Sequence, residues 1–228
     1  MEDGLRPGKS SNRSSLRAIR SLKKVTLSET IADMISQSIA NQSIKPGERI
    51  VEVALAQKLN VSRVPVREAL KILATQGVLQ DGRQSYEVPI YNERRVGQIH
   101  EARMILETLL LRDAIRCWHE GKTSVDALSE PLEQMHAAAK FGQIEEFRQA
   151  DLAFHRAITL AAENEIVRTL WETTARHVLI VLNVPTLKRI DLKQLAQKHT
   201  ELRSFIVRQV AQPGPDEDIG KALARHFV

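Results

Sequence analysis

A chain of 228 residues with 43% hydrophobic side chains can bury two ordinary cores, and 4% aromatics with long Ala, Leu, Ile, Glu and Arg stretches favour helix. No run approaches eighteen consecutive apolar residues, which excludes a membrane-spanning helix, and the basic, Ser-rich start lacks the apolar core of a secretory signal. The net charge of +5 is uneven: residues 1–92 hold 14 Lys and Arg against 9 Asp and Glu, whereas 93–228 hold 19 of each.

Residues 1–25 mix Ser, Arg, Lys and Gly without periodicity and read as a flexible basic arm. Either that arm or a polyanion partner for the first third of the chain accounts for the excess charge. From Leu27 the pattern turns helical, with Ser28 as the expected N-cap and Ile31, Met34, Ile35, Ser38 and Ile39 on one face. Lys45-Pro46-Gly47-Glu48 forms a turn, and a second helix spans 52–59. Asn60, able to adopt the left-handed conformation, ends it. Ser62 caps a third helix over 63–76, with Val66, Ala69, Leu70, Leu73 and Ala74 inward and Pro65 in the first turn. After Gly77 the period changes from 3.6 to 2. Val78 and Leu79 lead to the tip Asp81-Gly82-Arg83-Gln84-Ser85, then to Tyr86, Val88 and Ile90. Three helices and a two-stranded ribbon make residues 26–91 a winged helix-turn-helix.

Residues 92–228 read as helix almost throughout. The pattern predicts helices near 93–119, 125–140, 143–162, 164–183, 191–211 and 217–227, with breaks at Gly121, Gly142, Asn164, Pro185 and Pro213-Gly214-Pro215. The lone Cys117 reads as a small apolar filler in the first of them, excludes an intramolecular disulfide and fits a reducing cytoplasm. The fold class is therefore mainly α: a winged helix-turn-helix followed by an antiparallel bundle of about six helices.

A helix-turn-helix reads DNA with the N-terminal residues of its second helix. Here that helix opens Ser62-Arg63-Val64-Pro65-Val66-Arg67-Glu68-Ala69-Leu70. Arg63 and Arg67 lie one turn apart and project together, while Val66 and Leu70 face the core. An arginine can present a two-donor fork to guanine or grip a phosphate, and Ser62 with the helix N-terminal amides suits phosphate. Arg83 at the hairpin tip suits the minor groove or the backbone. The alternative is a solvated helix whose arginines pair with Glu68 or Glu52.

In the second domain, Asp151 and His155 are spaced i, i+4, so their side chains can share one cation, and His199 and His226 lie on separate later helices. One carboxylate and three imidazoles suit a borderline divalent ion such as zinc or nickel, with one or two positions open for a ligand. Hydrogen-bonded core histidines are the alternative. A hydrolytic metal centre would need a general base, and no Glu within the Asp151–His155 block supplies one. His100, His119, His136 and His177 join no such constellation and read as surface or packing residues.

The stretch Pro46–Val88, with Val61-Ser62-Arg63-Val64-Pro65-Val66-Arg67-Glu68-Ala69-Leu70 at its centre, resembles the winged helix of GntR-family transcription regulators. Residues 93–227 resemble the FCD ligand-binding domain of that family's FadR-type branch. The marks are Glu101-Ala102-Arg103 with Glu107, the Asp151–His155 block, Ala162-Glu163-Asn164, Lys198-His199 and Ala224-Arg225-His226. The resemblance implies a cytoplasmic homodimer, mostly a repressor, on palindromic double-stranded operator DNA, with contacts from Ser62, Arg63, Val64, Pro65, Arg67 and the wing residue Arg83. It implies Asp151, His155, His199 and His226 as ligands of a divalent metal ion. It also implies a small carboxylate effector, for which Arg103 is a second anchor, unless Arg103 pairs with Glu107 or Glu101 on its own helix. The sequence departs from many members at the wing tip, where Ser85 stands in place of a glycine. Only two residues follow His226, so the last helix is expected to be thinly packed there.

Overall fold

The computed structural model describes residues 26–83, 85–181 and 191–227. The expected basic arm, Gln84 of the hairpin tip and the break at Pro185 lie outside the described residues.

Helix α1 (Leu27–Ala40) starts two residues earlier than Ser28 would allow: Thr26 is the N-cap and forms a reciprocal capping box with Glu29. Ser28 is instead buried inside the helix and donates to Glu68 Oε2 at 2.6 Å. The inward stripe is Ile31, Ala32, Ile35, Ser36 and Ile39, while Met34, expected inside, is 46% exposed. Two small residues take its place, letting α1 lie close on the helix it packs against.

Strand β1 (Arg49–Ile50) leads into α2 (Glu52–Leu59), which ends at Asn60 with φ 52° and ψ 45°, as its side chain predicted. Helix α3 (Arg63–Thr75) buries Val66, Ala69, Leu70 and Leu73, and the wing follows as β2 (Gln80–Asp81) and β3 (Tyr86–Glu87). The ribbon is three-stranded, not two-stranded: β1 pairs antiparallel with β3 in the order β1-β3-β2. A two-residue strand is too short to show a period of two in sequence. Alternation also stops early, for Pro89 is buried and Ile90 is 70% exposed.

The second half comprises α4 (Glu93–His119), α5 (Ser129–Phe141), α6 (Ile144–Ala161), α7 (Glu165–Val181), α8 (Leu192–Ala211) and α9 (Asp216–Phe227). The expected 125–140 helix is divided. Ser124 accepts from Asp126 N to start a separate 3-10 turn, Val125–Leu128, and Pro131 then occupies the first turn of α5, where a missing N–H costs nothing. Gly142 closes α5 at φ 68°, a conformation open to glycine without strain.

Two apolar cores result. One gathers Ile31, Ile35, Val66, Leu70, Leu73, Val78 and Val88, the other Leu110, Leu111, Met135, Phe154, Ile206 and Leu223. Helix α7 serves both: Trp171 and Ala175 lie in the second core, Ile180 and Val181 in the first. Among the described residues no helix is long and apolar enough to cross a membrane. Leu70 has no exposed surface. Leu70→Ala therefore destabilises the winged helix by about 2–5 kcal/mol, through lost transfer energy and the cavity left behind, read as a lower urea midpoint in circular dichroism.

Candidate functional site

Two surfaces carry chemistry. On the first, Ser62 stands at the N-cap of α3 without a side-chain capping bond, so its hydroxyl is uncommitted to the helix. Val64 is 61% exposed and Pro65 half-buried, while the Arg63 and Arg67 side chains are 58% and 49% exposed. Both guanidiniums converge on one carboxylate. Arg63 Nε lies 2.9 Å from Glu52 Oε1, and Arg67 reaches Glu52 through Nε at 2.9 Å and Nη2 at 3.0 Å. Of the two partners named from sequence, Glu52 is the one used, because Glu68 is held by Ser28. Arg67's hydrogen bond, and then Arg63's, hold the Glu52 carboxyl below its ordinary range against its partial desolvation. At the wing tip Arg83 is exposed, and the turn closes by Gly82 N donating to Ser85 O at 2.9 Å. A Cβ on Gly82 would stand 2.8 Å from that oxygen, so here the glycine before Arg83 makes the tight turn while Ser85 needs none.

The second surface is internal. Asp151 and His155 project from α6, His199 from α8 and His226 from α9, and all four are at most 7% exposed. The ligating atoms of His155, His199 and His226 lie within 4.8 Å of one another. His226 Nε2 is 3.2 Å from His155 Nε2, and Asp151 Oδ1 is 2.9 Å from His199 Nε2 and 4.0 Å from His155 Nε2. The four residues singled out by spacing and resemblance are thus brought together. His226 is fully enclosed despite the short end of the chain, and Phe227 covers Arg103 with its ring 4.3 Å from the guanidinium carbon.

Behind His155 stands Glu107, which has to be added to the set. Its Oε2 is 2.7 Å from His155 Nδ1, and its Oε1 accepts from Arg103 Nε at 2.6 Å and from Trp171 Nε1 at 3.0 Å. Arg103 is therefore buried and paired with Glu107, and its Nη2 is 3.9 Å from Asp151 Oδ2. Burial works against charge on Glu107, but Arg103 and His155 outweigh it and keep the carboxyl well below the usual range. Burial opposes ionisation of Asp151 too, and is overcome by His199, His155 and Arg103. Burial lowers His155 and His226, toward the neutral form that ligates a metal.

Whether this set fits a cation is tested by its orphaned atoms. His155 Nδ1, His199 Nε2 and His226 Nδ1 are buried with no aligned hydrogen bond among the described residues, although Glu107 and Asp151 oxygens touch the first two. Two ligands on one zinc ion stand about 3 Å apart, given metal bonds near 2.0–2.1 Å. Contacts of 2.9 and 3.2 Å inside the cluster match that spacing. A carboxylate kept ionised beside three converging buried imidazoles forms a set that suits a divalent ion.

Comparison with known proteins now bears on the chain. The FCD domain family matches residues 98–225, and the family of bacterial regulatory proteins of the gntR type matches residues 27–85. The chain belongs to the GntR family, in its FadR-type, FCD-bearing branch. It is 29% identical over 183 residues to the gluconate operon transcriptional repressor of Bacillus subtilis (strain 168), covering 79% of this chain and 73% of that protein. It is 27% identical over 215 residues to a probable D-xylose utilization operon transcriptional repressor of Paenarthrobacter nicotinovorans, covering 91% and 88%. The fold of E. coli McbR/YncC superposes with a TM-score of 0.71 at 22% identity, over 89% of this chain and 94% of that one. This GntR-family chain is a transcription regulator and not an enzyme.

Of the other histidines, His119 bonds Val210 O and His136 bonds Thr200 Oγ1, both at the surface. His177 is buried and bonded at both nitrogens. The Glu107–Arg103 pair is enclosed on all sides, so removing one partner strands a charge. Arg103→Met should cost about 3–5 kcal/mol in urea unfolding, and the double change Arg103→Met with Glu107→Leu should recover much of it.

Proposed function

We propose that this regulator is a metabolite-responsive repressor that binds palindromic operator DNA as a homodimer. In this reading Ser62, Arg63, Val64, Pro65 and Arg67 meet the major groove and Arg83 meets the adjacent minor groove or backbone. Asp151, His155, His199 and His226 hold a divalent ion, zinc or nickel. A small carboxylate docks beside it with Arg103 as the second, cationic anchor. The observation that carries the effector half is the convergence of one ionised carboxylate and three buried imidazoles whose ligating atoms lie within 4.8 Å of one another. A bound divalent ion supplies a Lewis-acidic anchor for a carboxylate oxygen.

The residues divide the work. Glu107 sits at His155 Nδ1 and leaves Nε2 turned to the cluster, the orienting role of an outer carboxylate at a metal site. Phe227 and Phe154 flank the imidazoles and keep out water, which strengthens each charge–charge contact inside. Arg103 leans toward Asp151 and is held by Glu107 beneath the Phe227 ring, so its guanidinium stands at the edge of the cluster with its orientation fixed. The DNA half is supported by two exposed guanidiniums presented together on α3. The dimer is supported by Leu160, Ile166 and Leu170, large apolar side chains left 56%, 77% and 53% exposed on α6 and α7.

Zinc or nickel should raise the melting temperature of the metal-stripped protein in a dose-dependent way, because an ion bound only to the folded state stabilises it by mass action. His199→Ala should abolish the rise, and an unchanged rise would remove the metal from the reading. On a duplex selected from a random pool by the full chain, Arg63→Ala and Arg67→Ala should each lose about 1–3 kcal/mol of discrimination with the fold intact. Footprints equal to wild type in both variants would contradict the docking.

A further inference from the structure

The recognition helix closes on its own turn, with Val78 N donating to the Leu73 carbonyl and Gly77 N to that of Ala74, but the carbonyls of Gln76 and Gly77 are taken up by the other half of the molecule. Gln76, the C-cap of α3, gives its carbonyl to His177 Nε2 at 2.7 Å, and the carbonyl of Gly77 accepts from Arg95 of α4. The carbonyls at a helix C-terminus carry partial negative charge and need donors. Both donors come from the sensor helices. Around them the seam is closely tied: Tyr91 Oη bonds His177 Nδ1 at 3.0 Å, and Arg176 binds Asp33 of α1 through Nη2 at 2.7 Å and the Gln76 side chain through Nη1 at 2.7 Å.

The other end of α7 touches the imidazole cluster. Trp171, 2% exposed, donates its indole N–H to Glu107, the carboxylate that abuts His155. Trp171 and His177 are six residues apart, about 9 Å of helix rise. The segment between them is continuous α-helix, with its first half packed in one core and its last residues in the other. Beside this seam α1, α6 and α7 line a cleft of about 580 Å³, so the two lobes are not packed together over their whole facing surface. A displacement of Glu107 therefore has two stiff routes to the end of α3: along α7 from Trp171 to His177, and along its own helix α4 to Arg95.

We infer that α7 is a lever that couples the sensor cluster to the recognition helix, with Trp171 and His177 as its positioning residues. Trp171 would follow a shift of Glu107 when an ion is held beside His155, and His177 holds the Gln76 carbonyl at the C-cap of α3 and with it the inclination of the helix that bears Arg63 and Arg67. The inference rests on the metal reading of the cluster given above. Coupling of this kind is a free energy shared between two sites through an element with two arrangements, and it is reciprocal.

The test uses the full chain with zinc alone as probe. Zinc affinity is measured by calorimetry, and amide hydrogen exchange is followed at residues 72–79 with and without saturating zinc. The expected wild-type result is slower exchange there with zinc, by about 5-fold or more, the lower edge of ordinary coupling. His177→Phe fills the space without a donor and should bind zinc within about twofold of wild type, as a site remote from the ligands, yet lose the zinc-dependent difference. His177→Gln, which restores an N–H, should recover it. Trp171→Phe is the independent variant at the other end and should lose the difference with zinc bound. A purely structural His177 would loosen α3 equally in both forms and leave the difference intact, which overturns the inference. Wild-type protein that binds zinc with no change at residues 72–79 overturns it as well and leaves the metal reading standing. Wild-type protein that binds no zinc removes both.

Discussion

A buried carboxylate stays ionised only where partners replace the water it has lost, and the sensor half is arranged around two of them. Glu107 on α4 is enclosed by Arg103 of its own helix, Trp171 of α7 and His155 of α6. Asp151 on α6 is enclosed by His199 of α8, with Arg103 behind. His226 of α9 completes the cluster against His155. Five helices thus send side chains to one polar centre inside an otherwise apolar bundle. An apolar core of similar volume would be at least as stable. The arrangement is understandable as a receptor built into the core, with the adjoining leucines and phenylalanines keeping it dry.

The second constraint is that α7 has no core of its own. Its indole at Trp171 belongs to the bundle, and Ile180 and Val181 belong to the winged helix. Cores are close-packed and transmit displacement poorly by compression but well by rigid translation of an element. The hydrogen bonds at the seam add direction, because each fixes a main-chain or side-chain atom of α1 or α3: Asp33 and Gln76 for Arg176, the Gln76 carbonyl for His177. The DNA-reading half is then oriented by the sensor half through specific polar contacts as well as by apolar burial.

Much of this was legible in the chain, and the reasons differ by element. The recognition helix was plain because Val66, Ala69, Leu70 and Leu73 obey one period and Ser62 and Pro65 mark its start. The helix ends at Asn60 and Gly142 were plain because few residues accept a positive φ. The N-cap of α1 was misplaced by two residues because Thr26 and Ser28 are equally able to cap, and only the reciprocal bond with Glu29 decides. β1 was missed because two residues carry no period. At the cluster, Asp151 and His155 were visible as a one-turn pair, whereas His199 and His226 were tied to them by resemblance rather than by spacing. The Arg103–Glu107 pair could be read as i, i+4 neighbours, but not its contact with His155, which is a long-range product of packing α4 on α6. His177 was set aside as a packing residue because its partners, Tyr91 and Gln76, lie 86 and 101 positions away.

If Arg63 and Arg67 meet DNA as proposed, their pairing with Glu52 bears on how such a helix waits for it. An exposed ion pair contributes little in water, because solvent and salt screen it and two long side chains must be held still. Its weakness is useful, since a phosphate or a guanine edge can displace Glu52 at small cost. Its geometry is useful as well, for one carboxylate holds Arg63 and Arg67 side by side and extended, so less rotamer freedom remains to be lost when the groove arrives. The acidic group also sets a threshold: a duplex that engages only one arginine must part it from a carboxylate that keeps the other, and arbitrary phosphate contact gains less than a site that takes both. On the proposed docking, Glu52, at the first residue of α2, would belong to the recognition surface as much as the arginines, although its own charge repels nucleic acid.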